Sequence, residues 1–338
     1  MRQKRHMSEL DQLLESRGTS AQLGAYVTAA CFSSQDQAAF ALGDGTLRLG
    51  NEFEQVMAHD GAVLSLAAHP LGGFCSGGDD GRLMHITDCA VEISKFGAKW
   101  VEQLAVFSGK SPLLAVGVGK TVHLFAAAGE KLREMAHPST VTGIVFDAKG
   151  KRLAASHYNG ASLWFTGSSA APRMLEWKGS HTGIAMHPEG TALVTTMQEN
   201  SLHGWTLPEG KHMRMSGYPA KSESLGFTKS GRWLATAGAE SVVLWPFFGG
   251  GPMGKAPTEL GMGDGIVRRI ACHPAHEVVA AGFDTGLTLL INVANEQIIP
   301  LCGPGRGAIT ALAWSATGSQ LALGTETGFA SLIDFTGQ

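Results

Sequence analysis

Charge and tyrosine are scarce in this 338-residue chain: Asp, Glu, Lys and Arg together make up 16%, and there are 3 tyrosines. The 26 basic residues stand against 29 acidic ones for a net charge of -3, so there is no broad basic field of the kind that draws nucleic acid or an anionic membrane. Neither partner is expected. The 5 cysteines, Cys31, Cys75, Cys89, Cys272 and Cys302, are odd in number and include no CxxC pair. That argues against a disulfide frame or a zinc knuckle and suits buried thiols in a reducing compartment. No apolar run reaches the roughly 18 residues that a spanning helix needs. The opening MRQKRH is followed by SELDQLLESRG, where a signal peptide would carry its apolar stretch. A cytoplasmic protein is therefore expected, with either Met1 or Met7 as its start. GxSxG, GxxxxGK[ST], HExxH and EF-hand loops are all missing.

What is abundant is glycine, 45 residues, within a chain that is 44% hydrophobic. Such a chain can bury a large core between many turns. Laid against itself, it repeats: Val141 to Phe165, Ser224 to Trp245 and Ala308 to Ile333 share one pattern of apolar strand, turn, second strand, Gly-containing tight turn and third strand. Five more copies run Tyr26 to Leu49, Ala62 to Ile86, Val101 to Phe125, His181 to Trp205 and Val267 to Ile291. Third strands end near Leu49, Ile86, Phe125, Phe165, Trp205, Trp245, Ile291 and Ile333, spaced 37 to 46 residues apart. That period predicts an all-β fold, a single closed β-propeller of eight four-stranded blades. Fourth strands are expected in the polar stretches between units, as at Phe53 to Ala58, Lys131 to Ala136 and Gln297 to Cys302. Seven blades would result if the third unit, short in its tight turn, were not a full blade.

The segments SGGDDGRLMHI (Ser76 to Ile86), GDGTLRL (Gly43 to Leu49) and AHDGAVLSLAAHPLG (Ala58 to Gly72) resemble the turn and strand signatures of WD-repeat proteins. The resemblance covers roughly Tyr26 to Phe335, although no unit ends in Trp-Asp. It implies a hydrogen-bonded chain in each blade: a His before the first strand, a Ser or Thr in the second, an Asp in the tight turn and a Trp in the third. Unit two offers His59, Ser76 and Asp80, with Ile86 at the Trp position. Unit four offers His137 and Asn159, with Phe165 there, and units five and six place Trp205 and Trp245 in their third strands. No unit holds all four members, so packing and backbone pairing must carry more of each blade.

The eighth unit stops after its third strand, and residues 18–24 are expected to pair beside Gly328 to Phe335 and close the ring, removing an exposed edge. Ser8 ahead of Glu9 to Glu15, with Leu10, Leu13 and Leu14, predicts a short docked helix. The domains are then 1–17, an extension, and 18–338, the propeller. Its repeats run about 26–60, 61–98, 99–138, 139–180, 181–221, 222–265, 266–306 and 307–338 plus 18–24.

Candidate chemistry is sparse. His59, His137 and His181 precede first strands and would converge if they bound zinc, yet the first two already serve as bracing residues. His69, His187 and His273 each precede a proline at the end of a first strand and read as turn residues. His85, His123 and His203 lie in third strands, and Cys272 and His273, as neighbours on a strand, point apart. No catalytic set and no cofactor is expected. Partner-binding candidates are Phe247 and Phe248, in the longest interruption of the repeat (Pro246 to Gly265), and Arg268 with Arg269. The expected function is a monomeric, non-catalytic scaffold that binds a protein or peptide. Zinc handling is the alternative, and a propeller enzyme comes behind both.

Overall fold

In the computed structural model, which describes residues 9–337, the chain is β apart from helical residues at its start, Glu9 with Leu10 and the helix Gln12–Arg17. Second strands such as Ala38–Leu42, Phe74–Gly78 and Ala192–Met197 are buried at every position. Both faces of each sheet are therefore covered by neighbouring sheets, which is why their sequences read as continuous apolar runs and not as alternation. First strands touch in a closed circuit from Val27–Phe32 through Val63–Ala68, Gln103–Phe107, Gly143–Phe146, Arg173–Met186, Leu225–Phe227, Val267–Cys272 and Ile309–Trp314, and back to the first. The result is a β-propeller.

Counted by hydrogen-bonded sheets, the ring has seven members and not the eight separate four-stranded sheets expected. Six have four strands and one, formed by units four and five, has six. The cause is local. Arg173–Met186 runs 14 residues without a break, pairing through Arg173 to Glu176 with unit four and through His181 to Met186 with unit five. Elsewhere a loop separates an outer strand from the next inner one. The third unit, in contrast, is a complete four-stranded sheet from Gln103 to Ala136.

Close approach of the sheets near the axis rests on glycine. A Cβ on Gly282 would collide with Ile309 of the next sheet, and one on Gly324 would collide with Val27. Hydroxyls tie the same region together: Ser65 donates to the Val101 carbonyl at 2.9 Å, Thr142 to His181 at 2.6 Å and Thr310 to Val27 at 2.6 Å. The last of these joins opposite ends of the sequence.

So does the closing strand. Gly18–Gln22 lies antiparallel to Phe329–Asp334, from Gly18 opposite Ile333 to Gln22 opposite Phe329. Glu9 and Leu10 are helical, Asp11 interrupts the run as a turn, and the helix resumes over Gln12–Arg17; Ser8 falls outside the described residues. Leu14 packs beside Leu301, Cys302 and Ile333. Buried Asp11 accepts the Gly303 N–H at 2.7 Å and both terminal nitrogens of Arg306, at 3.1 and 3.0 Å.

Candidate functional site

Unit two holds an arrangement that needs a decision between chemistry and bracing. His59 Nδ1 stands 3.0 Å from Asp80 Oδ1, and His59 Nε2 stands 2.8 Å from Ser76 Oγ. A carboxylate only accepts, so Nδ1 carries the proton and Nε2 accepts from the serine. Asp, His and Ser in this order have the connectivity of a nucleophilic triad. Accessibility separates the two readings. Ser76 is 0% exposed and His59 1%, and Ser76 sits inside the strand Phe74–Gly78, so no carbonyl can approach its oxygen.

Burial also pushes the His59 pKa down, against the pull of Asp80, and the imidazole stays neutral. For Asp80, burial alone would raise the pKa, but N–H groups of Asp60 and Arg82, the imidazole and the Arg82 guanidinium outweigh it and hold the carboxyl well below its usual range. The aspartate collects four donors: Asp60 N–H at 3.0 Å, Arg82 N–H at 3.0 Å, Arg82 Nε at 2.7 Å and His59. The group fastens the tight turn to the loop before the first strand. It is a brace.

Other units build the same brace from different residues. In unit six Trp245 Nε1 donates to Tyr218 Oη at 2.6 Å, and Tyr218 meets Thr236 Oγ1 at 2.6 Å. Thr236 spends its own proton on the Val243 carbonyl at 3.0 Å, so the chain runs from tryptophan to tyrosine to threonine to backbone. Tyr218 occupies the histidine's role, which a search for histidine passes over. Unit five joins His181 Nδ1 to Thr195 Oγ1 at 2.7 Å and His181 Nε2 to the Trp177 carbonyl at 2.9 Å. Trp205, although buried, has an indole N–H without a partner among the described residues.

Unit four corrects the expectation at Phe165. Trp164 Nε1 donates to His137 Nε2 at 3.1 Å, while Phe165 is 58% exposed. Asn159 and Gly160 have φ of 67° and 137°, with a register shift at that point. A one-residue slip exchanges the two faces of a strand, bringing Trp164 inside and turning Phe165 out. Asn159 itself does not join His137. It accepts the Gly179 N–H at 3.2 Å.

On the opposite face, histidines act as links between neighbouring turns. His187 accepts the Glu189 N–H at Nδ1 and reaches the Gly231 carbonyl with Nε2 at 3.0 Å. His273 accepts from Ala275 and His276 and reaches Gly318 at 3.1 Å. Arg152, held by Asp147, makes the equivalent contact to Gly190 at 3.1 Å. His69 caps its own turn through Leu71 and stacks on His85, ring centres 3.9 Å apart. His123 pairs with Glu134, and His203 meets His212 at 3.0 Å while stacking on Trp177.

The zinc candidates His59, His137 and His181 are thus each committed within a different unit, and no group of three or more His, Cys, Asp or Glu suited to a metal occurs among the described residues. Phe247 and Phe248 are half-buried. Phe247 meets Phe227 edge-on at 4.9 Å, and Phe248 meets Trp233 at 5.2 Å under the Arg232 guanidinium. Arg268 and Arg269 both reach Glu223, at 3.2 and 3.1 Å. The cysteines are all free; burial pushes Cys75 and Cys272 up to about 12 and Cys302 to about 11.

The ring of sheets defines the class, a β-propeller, and the His–Ser–Asp brace of unit two is built as in a WD repeat. The family model for the WD domain, G-beta repeat, matches residues 50–86, the stretch that carries His59, Ser76 and Asp80. Among solved structures the chain is similar to the crystal structure of the computationally designed Ika8 protein, with a TM-score of 0.74 at 17% identity, covering 92% of this chain and 96% of that one. At that identity the likeness concerns the fold alone. A sequence comparison with curated proteins finds no match. No helix among the described residues is long and apolar enough to cross a membrane.

Proposed function

We propose that this protein is a non-catalytic interaction scaffold in the cytoplasm, a rigid propeller ring whose turns bind a protein or peptide. The observation that carries the reading is the enclosed His59–Ser76–Asp80 chain, the one constellation with a catalytic connectivity argued above, which is spent on bracing. WD-type propellers generally work as interaction platforms, an argument from the fold and not from a site.

Two measurements test it together. A fluorophosphonate probe should leave native protein unlabelled at Ser76. Cross-linking in cells followed by mass spectrometry should return a reproducible protein partner, linked through residues of the exposed turns. Labelling that disappears in Ser76→Ala would overturn the non-catalytic reading, and cross-links confined to the protein itself would overturn the scaffold. Phe247 and Phe248 form the first patch to examine, since Phe247→Ala with Phe248→Ala should weaken a partner docked on that loop.

A further inference from the structure

Several arginines are spent on ion pairs, whereas three lysines without one gather around a single cleft. Arg82 is held by Asp60 and Asp80, Arg152 by Asp147, Arg268 and Arg269 by Glu223, and Arg306 by Asp11. Lys110, Lys149 and Lys151 are exposed, and no ion pair holds any of them among the described residues. All three border one cleft of about 370 Å³ at the seam between units three and four. Its apolar lining includes Phe107, Leu124 and Leu132.

Asp147, the carboxylate nearest Lys149 and Lys151 in sequence, is already engaged. Asp147 accepts the N–H groups of Lys151 and Arg152 and the Arg152 guanidinium, and Glu134 pairs with Lys131. The cleft is also held in shape. Gly150, at φ 64°, lets its turn lie against the Phe107 ring, which any Cβ there would strike. Leu132 remains 48% exposed although it faces this apolar lining. Three uncompensated cations around a partly covered apolar floor repel one another and leave hydrophobic surface wet. The fold gains nothing from either feature.

We infer that this cleft is a docking site for an acidic peptide segment that places one large apolar side chain on Leu132 and Leu124 and carboxylates beside Lys110, Lys149 and Lys151. The inference rests on the scaffold reading and narrows it to one seam and one partner chemistry. A protein segment fits better than nucleic acid or membrane. Three lysines supply too few phosphate contacts for useful nucleic-acid affinity at physiological salt. A recess between turns does not suit a flat bilayer.

The test is selection of a phage-displayed random dodecapeptide library on the full-length protein. Selected peptides are then measured by fluorescence anisotropy against wild type, Lys110→Glu/Lys149→Glu/Lys151→Glu and Leu132→Ser, with unfolding curves to establish that each variant is folded. Expected are peptides rich in Asp and Glu around an apolar residue, at least tenfold weaker on the charge-reversed variant and severalfold weaker on Leu132→Ser. Raising the salt should weaken binding further, because exposed charges are screened. Enriched peptides that bind all variants equally would place docking elsewhere and overturn this site while leaving the scaffold reading intact. Failure to enrich any peptide would count against both. Lysine-dependent binding to phosphatidylserine vesicles without acidic peptides would reassign the cleft to lipid and overturn the proposal.

Discussion

Replacing Tyr218 by Phe removes a single oxygen from the buried chain of unit six and leaves the ring in place. That oxygen receives the Trp245 indole N–H and gives its own proton to Thr236, each at 2.6 Å. Burial raises the Tyr218 pKa to about 12, so the hydroxyl stays protonated throughout the ordinary pH range. After the substitution the indole N–H has no partner within the core, which costs about 1–3 kcal/mol, and Thr236 loses one donor while keeping its bond to Val243, about 0.5–1.5 kcal/mol. The total expected is about 1.5–4.5 kcal/mol. Trp245→Phe should cost a similar amount, through lost ring volume and an unmet tyrosine lone pair. The double variant separates bracing from packing: once the tyrosine oxygen is gone, removing the indole N–H removes a liability. Urea unfolding followed by circular dichroism should therefore give a double-variant cost about 1–2 kcal/mol below the sum of the single costs. Additivity to within about 0.5 kcal/mol would refute the directional chain and leave Tyr218 as an ordinary packed ring.

Acid and truncation probe the rest of the ring. Burial pushes His69 and His137 down to about 4, with His85 and His157 adding to the effect, and His203 to about 3, with His212 adding there. An unfolded chain takes up these protons first, so stability should be complete above about pH 6.5, the unperturbed histidine value, and fall steadily toward pH 4. A melting temperature that is flat across pH 7 to 4.5 would contradict that order. Deleting residues 1–22 removes the strand Gly18–Gln22 and the Asp11–Arg306 contact, exposing the edge of Phe329–Asp334. Light scattering should show aggregation and calorimetry a lower, broader transition, whereas a truncated protein that melts like the full chain would count against ring closure by this strand.

Period and turn chemistry were legible because each depends on local residue types: glycine in tight turns and apolar runs for sheets covered on both faces. The sheet count was not legible. It turns on whether residues 177–180 form a loop or a continuous strand, and Trp177-Lys178-Gly179-Ser180 contains nothing that forbids either course. Trp164 was missed for a related reason, since one residue held at positive φ at Asn159 reverses the inward face of everything that follows. Tyr218 was missed because hydrogen-bonding capacity and residue identity are different things. A phenol, like an imidazole, can accept one proton and donate another. His187 and His273 read as turn residues, but their second contact, to the next unit's glycine carbonyl, lies 44 or 45 residues away along the chain.

Those longer contacts explain how so degenerate a repeat holds a ring. Within a unit the bracing chain varies from His–Ser–Asp to Trp–Tyr–Thr to Trp–His, and in unit five it leaves an indole unpaired. Between units the bonds recur on both faces: hydroxyl to carbonyl near the axis at Ser65, Thr142 and Thr310, and side chain to glycine carbonyl at the opposite turns from Arg152, His187 and His273. Side-chain bonds thus fix neighbouring units at several seams, in addition to apolar contact across the faces of the sheets. In a closed ring no sheet can tilt without straining both neighbours, so a missing member of one internal chain is compensated from outside that unit. The internal bracing chain can therefore differ from unit to unit without opening the ring.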